Sequence, residues 1–154
     1  MPRTARYLAA IAIALALPAF LSATAWAGEP LSKKEFLKQG NAICAAADDQ
    51  IGALAEEAFG AYENSDTEPP PEAVEAFAAG LVPILRPAIA ELDALEPPTK
   101  DTKKVQKIID TYSDAVDQIE ADPSVLLDEQ SGDVFRKGNK LARKYGLKEC
   151  ADED

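Results

Sequence analysis

The sequence predicts an all-α fold, a four-helix bundle-like domain with one disulfide, preceded by an N-terminal signal peptide. Three observations carry that expectation. Apolar residues recur at helical spacing in four segments parted by proline or glycine breaks, and no segment alternates with the two-residue period of a half-buried strand. The first segment opens on a capping signal and the last closes on a glycine. The only two cysteines, Cys44 and Cys150, fall in the first helical segment and just past the last.

The chain begins MPRTARYLAAIAIALALPAFLSATAWAGEP. Arg3 and Arg6 precede an uncharged stretch from Tyr7 to Ala27, with small residues at Ala25 and Ala27, which is the layout of a secretory signal peptide cut after Ala27. An uncharged run of this length also suits an uncleaved anchor. Against that, Pro18 interrupts it and the strongly apolar part ends near Leu21. No cysteine lies between Met1 and Gly28, so lipoprotein processing has no attachment point. The expectation is a secreted, extracellular domain over residues 28–154, not a lipoprotein, with no stable membrane span once the peptide is removed.

The first helix starts at Ser32 and Glu35, an S-x-x-E capping box, with Leu31 and Phe36 at the hydrophobic-staple positions. Phe36, Gly40, Ile43, Cys44, Ala47, Ile51, Leu54, Ala55, Ala58 and Tyr62 then form one apolar stripe, and the length of this helix suggests a spine for the domain. The stretch ENSDTEPPPE, residues 63–72, is polar and proline-rich and reads as a loop. A second helix follows from Glu72 to about Leu95 on Val74, Phe77, Leu81, Ile84, Leu85, Ala88, Leu92 and Leu95. Pro83 and Pro87 lie inside it and predict a kink or a break.

Pro97 and Pro98 end that segment. The third helix spans about Lys100 to Ala121, with Val105, Ile108, Ile109, Tyr112, Ala115, Val116 and Ile119 in one stripe. Asp122 and Pro123 read as a cap and first-turn pair opening a short turn from Ser124 to Gln130. The fourth helix runs from Asp133 to Tyr145 and buries Val134, Phe135, Gly138, Leu141, Ala142 and Tyr145, with Gly146 and Leu147 as its glycine stop and hydrophobic contact.

Two cysteines in an exported chain predict a Cys44–Cys150 disulfide. In the chain-entropy model, closing so long a loop contributes roughly 4 to 5 kcal/mol, less any strain. A reactive thiol pair has no C-x-x-C spacing and no histidine beside it. The stretches LSKKEFLKQGNAIC, LEPP at Leu95 to Pro98 and KLARKYGLKEC, together with the signal peptide, resemble small secreted or lipid-anchored helical proteins of high-GC Gram-positive bacteria. That resemblance implies a helical fold, an exported location and paired early and late cysteines. It implies no activity, and the chain departs from the lipid-anchored members in lacking the signal-peptide cysteine.

Composition narrows function. The chain carries 27 acidic and 16 basic residues and a formal charge of −11, so it repels nucleic acid and anionic lipid overall. It has no histidine, which removes the commonest general base and transition-metal ligand. No nucleophile elbow, phosphate-cradling loop or calcium loop is present, and no cofactor or metal site is indicated.

The remaining candidates are weighed as follows. Asp110, Asp114 and Asp117 share a side of the third helix with Lys103 and Lys107 and read as a solvated, internally paired face. Asp48 with Asp49, and Glu56 with Glu57, diverge around the first helix. Arg136, Lys137, Lys140, Arg143 and Lys144 cover the polar face of the fourth helix. They read either as a docking surface for an anionic cell-envelope polymer or acidic protein surface, or as charge complementary to the acidic helices. A groove at the prolines, lined by Phe77, Leu81, Ile84 and Leu85, would admit an apolar ligand. The expectation is a non-catalytic binding or structural protein at the cell exterior. Its alternatives are an extracellular enzyme using carboxylates near Glu56 or Asp49, and a carrier of a small apolar ligand.

Overall fold

Ser32 opens the first helix as anticipated: its Oγ accepts a hydrogen bond from the Glu35 N–H at 3.2 Å. In the computed structural model, which describes residues 29–62, 69–127 and 134–151, the element order is α1 (Lys33–Phe59), α2 (Pro71–Asp93), α3 (Thr102–Ala121), a 3-10 turn (Pro123–Leu126) and α4 (Arg136–Tyr145). Every regular element among the described residues is helical. The expected signal peptide, most of the acidic loop before α2, Asp133 and residues 152–154 lie outside the described residues.

The helix ends follow local chemistry. Pro71 sits at the first turn of α2, where its missing N–H is not needed. Asp122 accepts from both the backbone N–H (3.0 Å) and the hydroxyl (2.7 Å) of Ser124, which starts the 3-10 turn. After α4, Gly146 adopts φ 114°, a left-handed conformation that favours glycine, and the N–H groups of Gly146 and Leu147 both donate to the Ala142 carbonyl at 3.0 Å. The fully buried Leu147 supplies the hydrophobic contact.

The break that was one of the two outcomes expected at the α2 prolines, and the spine expected in α1, are corrected. Neither Pro83 nor Pro87 breaks α2, which runs unbroken over 23 residues. Both prolines are exposed, so the carbonyls that lose an intrahelical partner face water, and the opposite face packs normally. The spine is α2 rather than the longer α1. It touches α1, α3 and the 3-10 turn, whereas the backbone of α1 approaches no other helix closely. By length and mean hydropathy of 1.5, α2 also qualifies as a membrane-crossing segment, but here its inner face packs on α1 and α3.

The chain is closed by its tail. Cys44 and Cys150 form a disulfide with their Cα atoms 4.9 Å apart, 106 residues apart in sequence. Asn41 of α1 brackets the same turn, donating to the Gly146 carbonyl at 3.3 Å and accepting from the Glu149 N–H at 3.0 Å. Leu147 packs so tightly on α1 that a Cβ at Gly40 would come within 2.6 Å of it.

The apolar interior falls into two clusters. One gathers Phe36, Leu92, Val105, Ile108, Ile109, Ala142, Tyr145, Leu147 and Ala151, with Phe36 edge-on to the Tyr145 ring at 6.0 Å. The other centres on Ala78, Leu81 and Ile119, with Ile51, Leu54, Phe77, Leu85, Leu126 and Phe135 packed around them. The second is a smaller satellite of the first, an ordinary arrangement for a domain of this size. What separates the two clusters defines the candidate site.

Candidate functional site

Between the clusters lies a cavity of about 220 Å³, open on one side and predominantly apolar. Helix α1 contributes Cys44, Ala47, Asp48 and Ile51, which at 100° per residue occupy a strip about 100° wide. Helix α2 contributes Phe77, Leu81, Leu85, Ala88, Ile89 and Leu92, within about 120° of one another and on the side opposite Pro83 and Pro87. Tyr112 of α3, Leu126 of the 3-10 turn, Phe135 and Asn139 at α4, and Glu149 and Cys150 of the tail complete the wall. Three of the four groove residues named from sequence therefore line it; Ile84 does not.

Tyr112 is set by a close approach. Gly138 of α4 lies against its ring, where a Cβ would meet Cε1 at 2.8 Å. The Tyr112 hydroxyl donates to the Cys150 carbonyl and stands 3.0 Å from Asn139 Oδ1. A hydroxyl has one hydrogen to give. The one hydroxyl hydrogen therefore serves two acceptors, the Cys150 carbonyl and Asn139 Oδ1, and ties α3 to both α4 and the tail. Asn139 is 9% exposed.

Asp48 and Glu149 are the charged residues of the lining, and both are exposed. Asp48 lies one helical turn beyond Cys44 and Glu149 directly precedes Cys150, so the disulfide gathers both carboxylates at the cavity. Among the described residues no lysine or arginine joins them there. Glu56 and Asp49, the carboxylates named for an enzyme, are exposed on α1 and do not line the cavity. Among the described residues no three histidine, cysteine or carboxylate side chains converge to hold a metal ion.

One carboxylate that the sequence reading did not single out, Asp101, is buried. This residue, 3% exposed, precedes α3, and its carboxylate accepts from Lys104 Nζ at 2.7 Å and from the Tyr145 hydroxyl at 3.4 Å. The Lys104 hydrogen bond holds the carboxyl below the usual aspartate range against the opposing effect of burial. Burial, and then the Asp101 charge, push the Tyr145 phenol up to about 12. Asp101 is thus a charged structural anchor outside the cavity wall, and its shift runs opposite to that of a carboxylate kept protonated for acid catalysis.

The surface charges also differ from the sequence reading. Asp117 pairs across helices with Arg86 of α2 at 2.8 Å, and Glu120 pairs with the same guanidinium. Asp110 accepts from Gln106 at 3.0 Å. No ion pair joins Lys103 or Lys107 to the α3 aspartates among the described residues. The basic face of α4 is where the sequence places it, with Arg136, Lys137, Lys140, Arg143 and Lys144 all exposed. Among the described residues, no carboxylate forms an ion pair with Arg136, Lys137, Lys140 or Lys144.

Fold and site together define a small, disulfide-closed helical domain with an apolar cavity whose polar groups sit around the disulfide. Compared with protein-family models, with curated proteins and with solved structures, the chain matches none.

Proposed function

We propose that this chain is an exported, non-catalytic binding protein that carries a small apolar molecule in the cavity between its two cores. The observation behind this reading is the apolar lining of that cavity, drawn from α1, α2, α3 and the 3-10 turn. An apolar molecule seated there removes apolar wall from water, a gain of about 25 cal/mol per Å² covered. The Cys44–Cys150 bond supports export, since such bonds persist in oxidising compartments.

The test is calorimetric titration of the oxidised protein with a neutral apolar ligand such as 1-octanol, alongside an Ala88→Leu variant that fills the cavity from α2. Saturable binding by the parent and none by the variant is expected. Equal binding by both, or by neither, overturns the reading.

A second reading concerns α4. Its exposed cations, four of them unpaired with any described carboxylate, favour an anionic cell-envelope polymer or an acidic protein surface as partner. This surface is separate from the cavity, and the two readings are independent.

A further inference from the structure

We propose that the basic face of α4 is the middle of a band that runs from the start of α1, over the tail and α4, to the start of α3, and that this band docks on an extended polyanion bearing phosphate charges. This inference rests on α4 being a docking face and adds the rest of the surface and the chemistry of the partner.

The fold sorts the charges by position. Apart from Arg86, every lysine and arginine among the described residues lies on the first two turns of α1, on or just before the first two turns of α3, or on α4 and the tail. Those three places meet around Tyr145. Its ring lies edge-on to Phe36 of α1 and under Lys33 Nζ at 4.5 Å, and its hydroxyl donates to Asp101, the residue that precedes α3. On α4 the five cations fall within about 120° of one another, on the side away from the buried Gly138, Asn139, Ala142 and Tyr145. On α3, Lys104 and Lys107 lie about 60° apart, on the flank away from Asp117 and Glu120, which pair with Arg86 of α2. On α1, Lys34 lies two turns before Asn41 and within about 20° of it, and Asn41 bonds the tail.

The band is largely unneutralised. Lys34, Lys38, Lys100, Lys107 and Lys148 are exposed, and no described carboxylate forms an ion pair with them. Glu35 and Glu149 interrupt the band, whereas Glu91 and Asp93 stand on α2, which makes no close backbone approach to α4. The far end has the reverse charge, with Glu56, Glu57, Glu72, Glu75, Asp117 and Glu120 against Arg86. A chain of formal charge −11 that gathers its cations at one end can meet a polyanion in one orientation only.

The side chains also say what kind of anion fits. Most of the band is lysine, a flexible, strongly hydrated point charge rather than the planar fork that reads one carboxylate or phosphate. Among the described residues no lysine or arginine lines the cavity, so nothing encloses a single small anion. Such a band responds to charge density along its length, which a polymer with a charge on each repeat supplies. A bilayer fits less well. The large hydrophobic side chain exposed among the described residues is Leu127, which follows the 3-10 turn at the far end, so no apolar wedge stands beside the band.

The experiment titrates the oxidised protein with inorganic polyphosphate over a range of salt. The logarithm of affinity should fall with the logarithm of salt by about 0.7 per phosphate engaged, so a slope of about −4 or steeper is expected for about six contacts. Lys34→Glu/Lys38→Glu, Lys100→Glu/Lys107→Glu and Lys137→Glu/Lys140→Glu should each weaken binding roughly tenfold or more. Glu56→Lys/Glu57→Lys, about 30 Å along α1 from the band and beyond the screening length, should change it by less than about twofold. A loss confined to the α4 pair overturns the band and leaves α4 as the docking face. A gain of about tenfold in the Glu56→Lys/Glu57→Lys variant would show that net charge alone governs binding, and overturns the inference. Tighter binding to vesicles of an anionic phospholipid than to polyphosphate at equal phosphate overturns the polymer as partner, and no binding of polyphosphate by the parent overturns the inference outright.

Discussion

The Tyr112 hydroxyl donates to the carbonyl of Cys150, so α3 holds in place the turn that carries one half of the disulfide. The other half is on α1, which makes no close backbone approach to α3. The tail therefore bridges two helices whose backbones do not approach each other closely, and both half-cystines line the cavity.

Tyr112→Phe removes that bond and leaves a half-buried carbonyl and the Asn139 amide short of a partner. The expected loss is about 1 to 3 kcal/mol, read as a lower urea midpoint at unchanged slope. An unchanged midpoint would mean that the disulfide alone positions the turn.

Reducing Cys44–Cys150, or replacing both cysteines with serine, is expected to lower stability by roughly 4 kcal/mol in the chain-entropy model. Cavity binding should weaken with it, because both half-cystines and Glu149 form part of the wall. Identical melting of the oxidised and reduced protein would contradict the role given to the bond.

The two buried partners Asp101 and Tyr145 set opposite pH limits. The Asp101 pKa is lowered on folding, so its contribution is present above the unfolded value near 3.8 and disappears as pH falls through the folded one. Tyr145 is raised to about 12 from 10.0, so its contribution is present below pH 10 and lost as pH climbs between those values. Asp101→Asn should flatten the acid limb and Tyr145→Phe the alkaline limb of stability against pH. Unaltered limbs in the two variants would show that other groups govern them.

Lys137→Glu with Lys140→Glu tests the α4 face. Both side chains are exposed and unpaired with described carboxylates, so stability should change by no more than about 0.5 kcal/mol, while retention on an immobilised anionic polymer should drop sharply. A large stability loss with retention unchanged would point instead to internal charge complementarity.

Most of the fold was legible because it rests on local signals. The Ser32 cap, the Gly146 stop and the α3 stripe from Val105 to Ile119 each occupy positions where one physical rule dominates. Neighbour relations were not legible. The length of α1 suggested a spine, yet the central role falls to α2, because helix length says nothing about which helices pack together. Whether the α2 prolines would break the helix was not legible for a similar reason, since their effect depends on which side they face.

The site was legible only in part. Phe77, Leu81 and Leu85 were readable from helical spacing. Asn139 was missed because asparagine reads as surface, although it sits four residues after Phe135 and three before Ala142 on the inward face of α4. Asp101 was hidden in the polar run TKDTKK, and its burial is created by Tyr145, 44 residues away. The cavity itself depends on how far the tail holds α4 from α1, a distance that no local pattern encodes.

The central claim is that the space between the two cores is a ligand site. Methyl-resolved NMR of the oxidised protein titrated with 1-octanol tests it most directly. The account predicts saturable shifts clustered at the wall methyls of Ile51, Leu81, Leu85 and Ile89, with Val105 and Val116, which do not line the cavity, little changed. Shifts that never saturate, or that scatter over exposed surface such as Leu127 and leave the wall methyls still, would contradict it.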